Sequence, residues 1–170
     1  MPQRSKKASN EIALVGDVED WEADAIRFLL HLPVGGECTL YMDSPGGSVY
    51  GALAVLSLLR LRKVQASIVV LGECSSACLL IFGGAVRRLV TPHSVFFFHR
   101  MRWQSDRRIM ADEARQWAQH FVRMEEDMDG LLARLFEPHQ QHVREWVRNG
   151  QFLFGRELAR LGLAELVELP

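Results

Sequence analysis

The chain has 170 residues, of which 48% are hydrophobic and 24% are charged, a balance typical of one ordinary globular domain. This composition excludes a disordered chain, which would need few apolar residues and a large net charge. Twenty Lys and Arg residues stand against 21 Asp and Glu residues and leave a net charge of −1, so nothing favours nucleic acid or an anionic membrane as a partner.

Apolar runs and the start of the chain indicate no membrane segment. The sequence contains no apolar run of the roughly 18–20 residues that a membrane span requires. The basic residues of segment 1–10 are followed by no apolar stretch, which predicts a flexible tail and no signal peptide. We therefore expect one domain over 11–170 in the cytoplasm, and an exported location only if a leader is missing from this chain.

Hydrophobic patterns along the chain predict short strands that alternate with helices. Strands are predicted at 11–16, 37–42, 65–71 and 95–99. Helices are predicted at 21–32, at 48–61 with Ser48 as N-cap, at 75–82, and as one long charged helix at 112–136. A short strand and a helix are predicted between 152 and 167. This alternation predicts a single α/β domain with a mostly parallel sheet and a long protruding helix.

Three segments that carry groups suited to catalysis follow predicted strands, at the positions where open α/β sheets bind their ligands. The glycines of Ser44-Pro45-Gly46-Gly47-Ser48 leave backbone N–H groups uncovered at the start of a helix. The segment is either a loop whose N–H groups bind an oxyanion or an ordinary tight turn. A serine in the segment 72–78 is open at the first predicted turn of a helix and is a nucleophile or an N-cap. His99 is a general base or a structural side chain. Together, in this order, the three favour catalysis.

The three cysteines do not form the even, dense set of a disulfide scaffold. Cys74 and Cys78 are four residues apart and are predicted on one helical face, where Cβ atoms are roughly 5–6 Å apart. A disulfide prefers about 3.5–4.5 Å. We therefore expect reduced, buried thiols, and no metal ion because no second pair of ligands has a matching spacing.

The run YMDSPGGSVYGALAV, followed by GECSSACLLIFGGAVRRLVTPHSVFFFHR, resembles the proteolytic subunit of the Clp protease and the Clp/crotonase superfamily around it. The resemblance covers about 11–168. It implies a βαβ spiral fold and a Ser-His-Asp serine endopeptidase without cofactors. It also implies peptide or unfolded-protein substrates and a homo-oligomeric ring around a closed chamber.

The resemblance also assigns the site residues. Ser76, counted from Gly72, has the position of the nucleophile, and His99 has that of the general base. The backbone N–H groups of Gly47 and Ala77 have the positions of the oxyanion hole. In the resulting mechanism, His99 takes the proton of Ser76 during attack on a peptide carbonyl and returns it to the leaving amine.

The third triad position departs from the family. The aspartate that comes before a Phe-Leu pair is replaced by Gly150, ahead of Phe152. Asn149 is the nearest polar side chain and is the candidate orienter of His99. Asp127 or Asp129 serves only if the long helix is placed differently from the family's.

Three further points limit the functional prediction. Only about ten residues precede Glu11, so we do not expect recruitment by a Clp-type ATPase.

Two other branches of the superfamily fit the sequence less well. The lysines Lys6, Lys7 and Lys63 do not suit a Ser-Lys dyad, and the acyl-CoA-binding crotonase branch does not use a serine and a histidine at these positions. The main alternative is a non-catalytic or weakly active ring subunit with a structural role, which Gly150 favours and which Ser76 and His99 oppose.

Overall fold

Strands and helices alternate along the chain in a computed structural model, which describes residues 10–104 and 108–168. Within these two ranges the strands are β1 (Glu11–Val15), β2 (Glu37–Ser44), β3 (Gln65–Ser75), β4 (Arg87–Val90), β5 (Val95–Phe98), β6 (Gln151–Phe154) and β7 (Glu165–Leu166). The helices there are α1 (Val18–His31), α2 (Val49–Leu61), α3 (Cys78–Gly84), α4 (Ala111–Leu135), α5 (Gln140–Asn149) and α6 (Gly155–Arg160). The predicted tail over 1–10 lies outside the described residues except for its last position.

The strands form one sheet in the described part of the chain, and its pairing is mostly parallel. The strand order is β1-β2-β3-β4-β7, with β5 paired to the end of β3 and β6 paired to β5. The β5–β6 pair is antiparallel and the other pairs are parallel. The prediction of a single α/β domain with a mostly parallel sheet is therefore confirmed.

Strand β3 is longer than predicted and changes partner along its length. Its residues Ser67–Val70 pair with β4, and its residues Glu73–Ser75 pair with β5. Gly72 does not end the strand, because it lies against the Asp43 carboxylate: a Cβ at Gly72 would be 2.6 Å from Asp43 Oδ1. The same oxygen accepts a 2.9 Å hydrogen bond from the Glu73 N–H. The extension brings the end of β3 beside β5.

Helix α3 begins at Cys78, three residues after the predicted start at Ser75. The β3–β5 pairing continues through Ser75, so the backbone there is still extended. Ser76 and Ala77 therefore form a turn between strand and helix. Ala77, and not a serine, is the N-cap of α3.

The starts of α1 and α2 show how side chains set helix boundaries. Helix α1 begins at Val18, ahead of the predicted Trp21, because Val18 is fully buried and the Asp20 carboxylate accepts a 3.1 Å hydrogen bond from the Asp17 N–H. At α2 the predicted cap is confirmed, since the Ser48 hydroxyl accepts from a backbone N–H of the first turn at 3.1 Å.

Strand β4, helix α5 and the two-residue strand β7 were absent from the sequence-based expectation. Strand β4 contains two arginines, which masked its strand pattern: Arg87 pairs with Glu165 at 2.6 Å, and the Arg88 guanidinium lies 5.3 Å from the centre of the Phe136 ring. Helix α5 carries many polar residues, but it buries Val143 and Val147. Tertiary contacts therefore stabilise β4 and α5, whose own hydrophobic patterns are weak.

Helix α4 confirms the predicted long helix and has two unlike halves. Met124, Leu132 and Ala133 are buried, whereas residues of its first half are mostly exposed. Exposed apolar side chains there include Trp117 and Val122. No helix in the described ranges is long and apolar enough to cross a bilayer.

Candidate active site

The turn between β3 and α3 holds Ser76 in an unusual backbone conformation. Ser76 has φ +55°, a left-handed value that few residues other than glycine adopt. Its N–H donates a 3.0 Å hydrogen bond to the carbonyl oxygen of Phe97 in β5. This bond holds the turn against the neighbouring strand. Such a conformation costs on the order of 1–3 kcal/mol and is concentrated at functional sites. The Ser76 side chain is half-buried.

The glycine loop after β2 packs directly on this turn. A Cβ at Gly46, which has φ +110°, would lie 2.6 Å from the Cβ of Ser76 and 3.3 Å from the backbone nitrogen of Ala77. Only a glycine permits this approach. No hydrogen bond engages the N–H of Gly47 or of Ala77 among the described residues. Gly47 and Ala77 thus carry unengaged backbone donors of the kind that an oxyanion hole requires.

His99 immediately follows β5, and its ring is held by two contacts. Its Nδ1 lies 2.6 Å from the carbonyl oxygen of Arg100. Because a carbonyl can only accept, Nδ1 carries a proton, so in the neutral ring Nε2 is the nitrogen with the lone pair. The ring stacks on Phe97 with centroids 4.6 Å apart, and Phe97 stacks on Phe152 at 3.9 Å. The tautomer and the ring plane are therefore both defined.

One cavity of about 210 Å³ joins the predicted site residues. Gly47, Ser76, Ala77 and His99 all line it. Its apolar wall consists of Val49, Leu80, Met101, Met128 and Leu132, and Arg102 and Asp129 also border it. No hydrogen bond joins Ser76 to His99 within the described residues; in structures without substrate this bond is often long or misaligned. The cavity therefore presents an apolar wall beside a hydroxyl and an imidazole.

The position of the expected aspartate contains no carboxylate. Gly150 ends α5 with φ +67°, and a Cβ there would meet Phe97 at 3.9 Å. Asn149 is exposed at the last position of α5 and makes no hydrogen bond with His99. The acceptor that the structure offers to His99 is the Arg100 carbonyl.

Asp129 is the carboxylate that α4 brings to this cavity, whereas Asp127 is exposed on the same helix. Burial raises the pKa of Asp129, and the nearby Glu125 raises it further, while Arg100 and Arg144 lower it. No hydrogen bond or ion pair joins Asp129 to another residue in the described part of the chain. Sequence reasoning placed Asp129 among the alternatives but gave no reason to prefer it, because its position depends on how α4 packs.

The cysteines near Ser76 differ from the helical pair that was predicted. Cys74 lies in β3 and Cys78 is the first residue of α3, so the two do not share a helical face, and the argument from helical Cβ spacing does not apply. Both are fully buried, as expected. Burial raises the pKa of Cys78 to about 11 and that of Cys74 well above its usual value. Over residues 10–104 and 108–168, no three His, Cys, Asp or Glu side chains are grouped so as to hold a metal ion.

Comparison with known proteins gives a family for this fold and site. The family model described as Clp protease matches residues 5–168, nearly the whole chain. A curated relative, the ATP-dependent Clp protease proteolytic subunit of Pleurastrum terricola, is 28% identical over 163 residues, which span 92% of this chain and 82% of the relative. The family supports a peptidase. On the evidence of its sheet, its serine turn and the family match, the chain belongs to the Clp protease family.

Proposed function

We propose that the protein is a serine endopeptidase in which Ser76 is the nucleophile and His99 the general base. The observation that carries the proposal is the Ser76 turn itself. A left-handed serine, two unengaged backbone N–H groups and a histidine with a free Nε2 all border one cavity. These are the parts that acyl transfer needs: a nucleophile, a base and donors for the developing oxyanion.

In the proposed reaction, a peptide carbonyl lies in the cavity with its oxygen toward the N–H groups of Gly47 and Ala77. His99 Nε2 takes the proton of the Ser76 hydroxyl as Oγ attacks the carbonyl carbon. The imidazolium then gives this proton to the leaving amine, which leaves an acyl-enzyme. Water attacks the acyl carbon by the same route in reverse and releases Ser76.

The support of His99 differs from that in a complete triad. The Arg100 carbonyl selects the tautomer, and the Phe97 ring holds the imidazole plane. Neither carries a full negative charge, so the imidazolium is stabilised less than it would be by an aspartate. Replacing the aspartate of a serine protease with asparagine lowers kcat about 10⁴-fold. We therefore propose a slower peptidase, with Asn149 as orienter still to be tested by Asn149→Ala.

Labelling with a fluorophosphonate probe tests this assignment. We expect the wild-type chain to be labelled and Ser76→Ala to lose both labelling and hydrolysis of an activated ester. Ser75→Ala is the matched control, because Ser75 is the adjacent serine but is buried, with no hydrogen-bond partner in the described residues for its hydroxyl. Equal loss in both variants, or labelling that persists in Ser76→Ala, would remove Ser76 from this role.

The second candidate function is a non-catalytic or weakly active ring subunit, which Gly150 favours. Complete absence of fluorophosphonate labelling in a folded, assembled protein would support it. For either function we propose a homo-oligomeric ring and a cytoplasmic location, and for the peptidase we propose peptide or unfolded-protein substrates. Sedimentation, peptide-library cleavage and cell fractionation test these three expectations respectively.

A further inference from the structure

A completely buried hydroxyl lies behind the glycine loop of the site. Ser44 is the last residue of β2, and its side-chain oxygen accepts a 3.3 Å hydrogen bond from the Gly46 N–H. The Cys78 thiol, at the first residue of α3, donates to the same oxygen at 3.0 Å. One buried oxygen therefore connects the loop after β2 to the helix after the Ser76 turn. We call this pair of hydrogen bonds the Ser44–Cys78 link.

The two ends of the link are the two segments that carry the proposed oxyanion donors. Gly47 is adjacent to Gly46, and Ala77 is adjacent to Cys78. The separation of the two N–H groups therefore depends on how the glycine loop is held against the start of α3. The hydrogen bond from the Val18 N–H to the Gly46 carbonyl, at 2.8 Å, holds the opposite side of the loop.

The protonation state of Cys78 suits this role. Burial raises the pKa of the Cys78 thiol to about 11, so at neutral pH the group stays S–H and donates. A thiol is a weak donor, but both partners are fully buried, so the Cys78–Ser44 hydrogen bond is made away from solvent. Removing Ser44 breaks both hydrogen bonds, and removing Cys78 leaves only the one from the Gly46 N–H; either change removes the connection between the loop and α3.

We infer that Ser44 and Cys78 are positioning residues, which set the geometry of the oxyanion hole without touching substrate. The inference rests on the proposed function, since it concerns the rate of attack by Ser76. Oxyanion donors act only when they lie about 2.7–3.1 Å from the developing charge. Losing one donor costs about 10²–10³ in kcat, so loosening the loop should cost part of that, about tenfold.

The test uses the full-length protein and four variants at the link. Ser44→Ala and Cys78→Ala each remove one partner, and the double variant removes both. Cys78→Ser keeps a donor at the same position. Cys38→Ala is the matched control, because Cys38 is also a buried thiol, in the same strand as Ser44 but six residues earlier. For each protein, kcat and KM for an activated ester, the rate of fluorophosphonate labelling and Tm are measured.

We expect Ser44→Ala and Cys78→Ala each to lower kcat and the labelling rate about tenfold, with KM changed less than about twofold. The double variant should be no slower than the slower single variant, because both changes break one link. Cys78→Ser should recover most of the rate, and Cys38→Ala should lower Tm while keeping kcat.

Two results separate failure of this inference from failure of the proposed function. A wild-type protein that is not labelled overturns both. A labelled wild type whose link variants keep their kcat, measured well below their Tm, overturns the positioning role alone. Losses that multiply in the double variant would do the same, because independent effects add in free energy.

Discussion

Restoring the absent carboxylate through Gly150→Asp is the change that bears most directly on how His99 works. Gly150 has φ +67° at the end of α5, a conformation that costs a residue with a side chain about 1–2 kcal/mol, and aspartate less than most. The new Cβ would meet Phe97 at 3.9 Å, an ordinary contact, so strain rather than collision sets the cost. For a chain of this size we expect Tm to fall by about 2–4 °C.

We expect the carboxylate introduced by Gly150→Asp to lie near the Phe97 ring and therefore near His99. Phe97 is the group that the new side chain would meet first, and the His99 ring stacks on it at 4.6 Å. A carboxylate nearby stabilises the imidazolium that forms when His99 takes the Ser76 proton, and we expect about 1.4 kcal/mol from this interaction. The same energy in the transition state is about a tenfold gain in kcat/KM.

Gly150→Asn is the matched control, because it has the same shape and the same backbone strain without the charge. Relative to the asparagine variant, the aspartate variant should hydrolyse an activated ester about tenfold faster. Identical rates in the two folded variants would refute the reasoning, because the missing charge would then not limit His99.

Three further outcomes are expected. Because burial raises the pKa of Asp129, the folded chain binds its proton more tightly than the unfolded chain does, so stability falls as pH rises through that range. Asp129→Asn should accordingly raise Tm at pH 7 by more than at pH 4, and equal shifts at both would contradict this. The exposed apolar side chains on the first half of α4 should be covered in an oligomer; sedimentation as a monomer at micromolar concentration would count against it. Because burial raises the pKa of both thiols and shields them from oxidants, Cys74 and Cys78 should stay reduced, and mass spectrometry without reductant should find no loss of two hydrogens in their peptide.

The order of elements was predictable because each strand of the first half is a short apolar run followed by a helix. Residues 11–15, 37–42 and 65–71 show this pattern, and all lie in strands of the structure. Boundaries were less predictable where a long-range contact decided them. Gly72 signalled an end to β3 by local rules, but the Asp43 carboxylate, 29 residues away in the sequence, keeps the strand extended.

The candidate site was predictable in its residues and not in its local geometry. Spacing and resemblance selected Ser76 and His99, which border one cavity. The left-handed φ of Ser76 was not predictable, because it depends on pairing between β3 and β5 that no local pattern encodes. The acceptor for His99 was missed for a related reason: Arg100 contributes a backbone carbonyl, and backbone groups carry no residue signature.

The partner change of β3 has a consequence for how such a site can diverge. The serine turn and the histidine strand are bound to each other by main-chain pairing, Cys74 with Phe96 and the Ser76 N–H with Phe97. The third triad position belongs to a separate segment, which is attached to β5 from its other side through β6. Substitutions around Gly150 can therefore accumulate without displacing Ser76 relative to His99. The relative position of Ser76 and His99 is therefore set by the main chain of β3 and β5 and does not depend on which side chain stands at position 150.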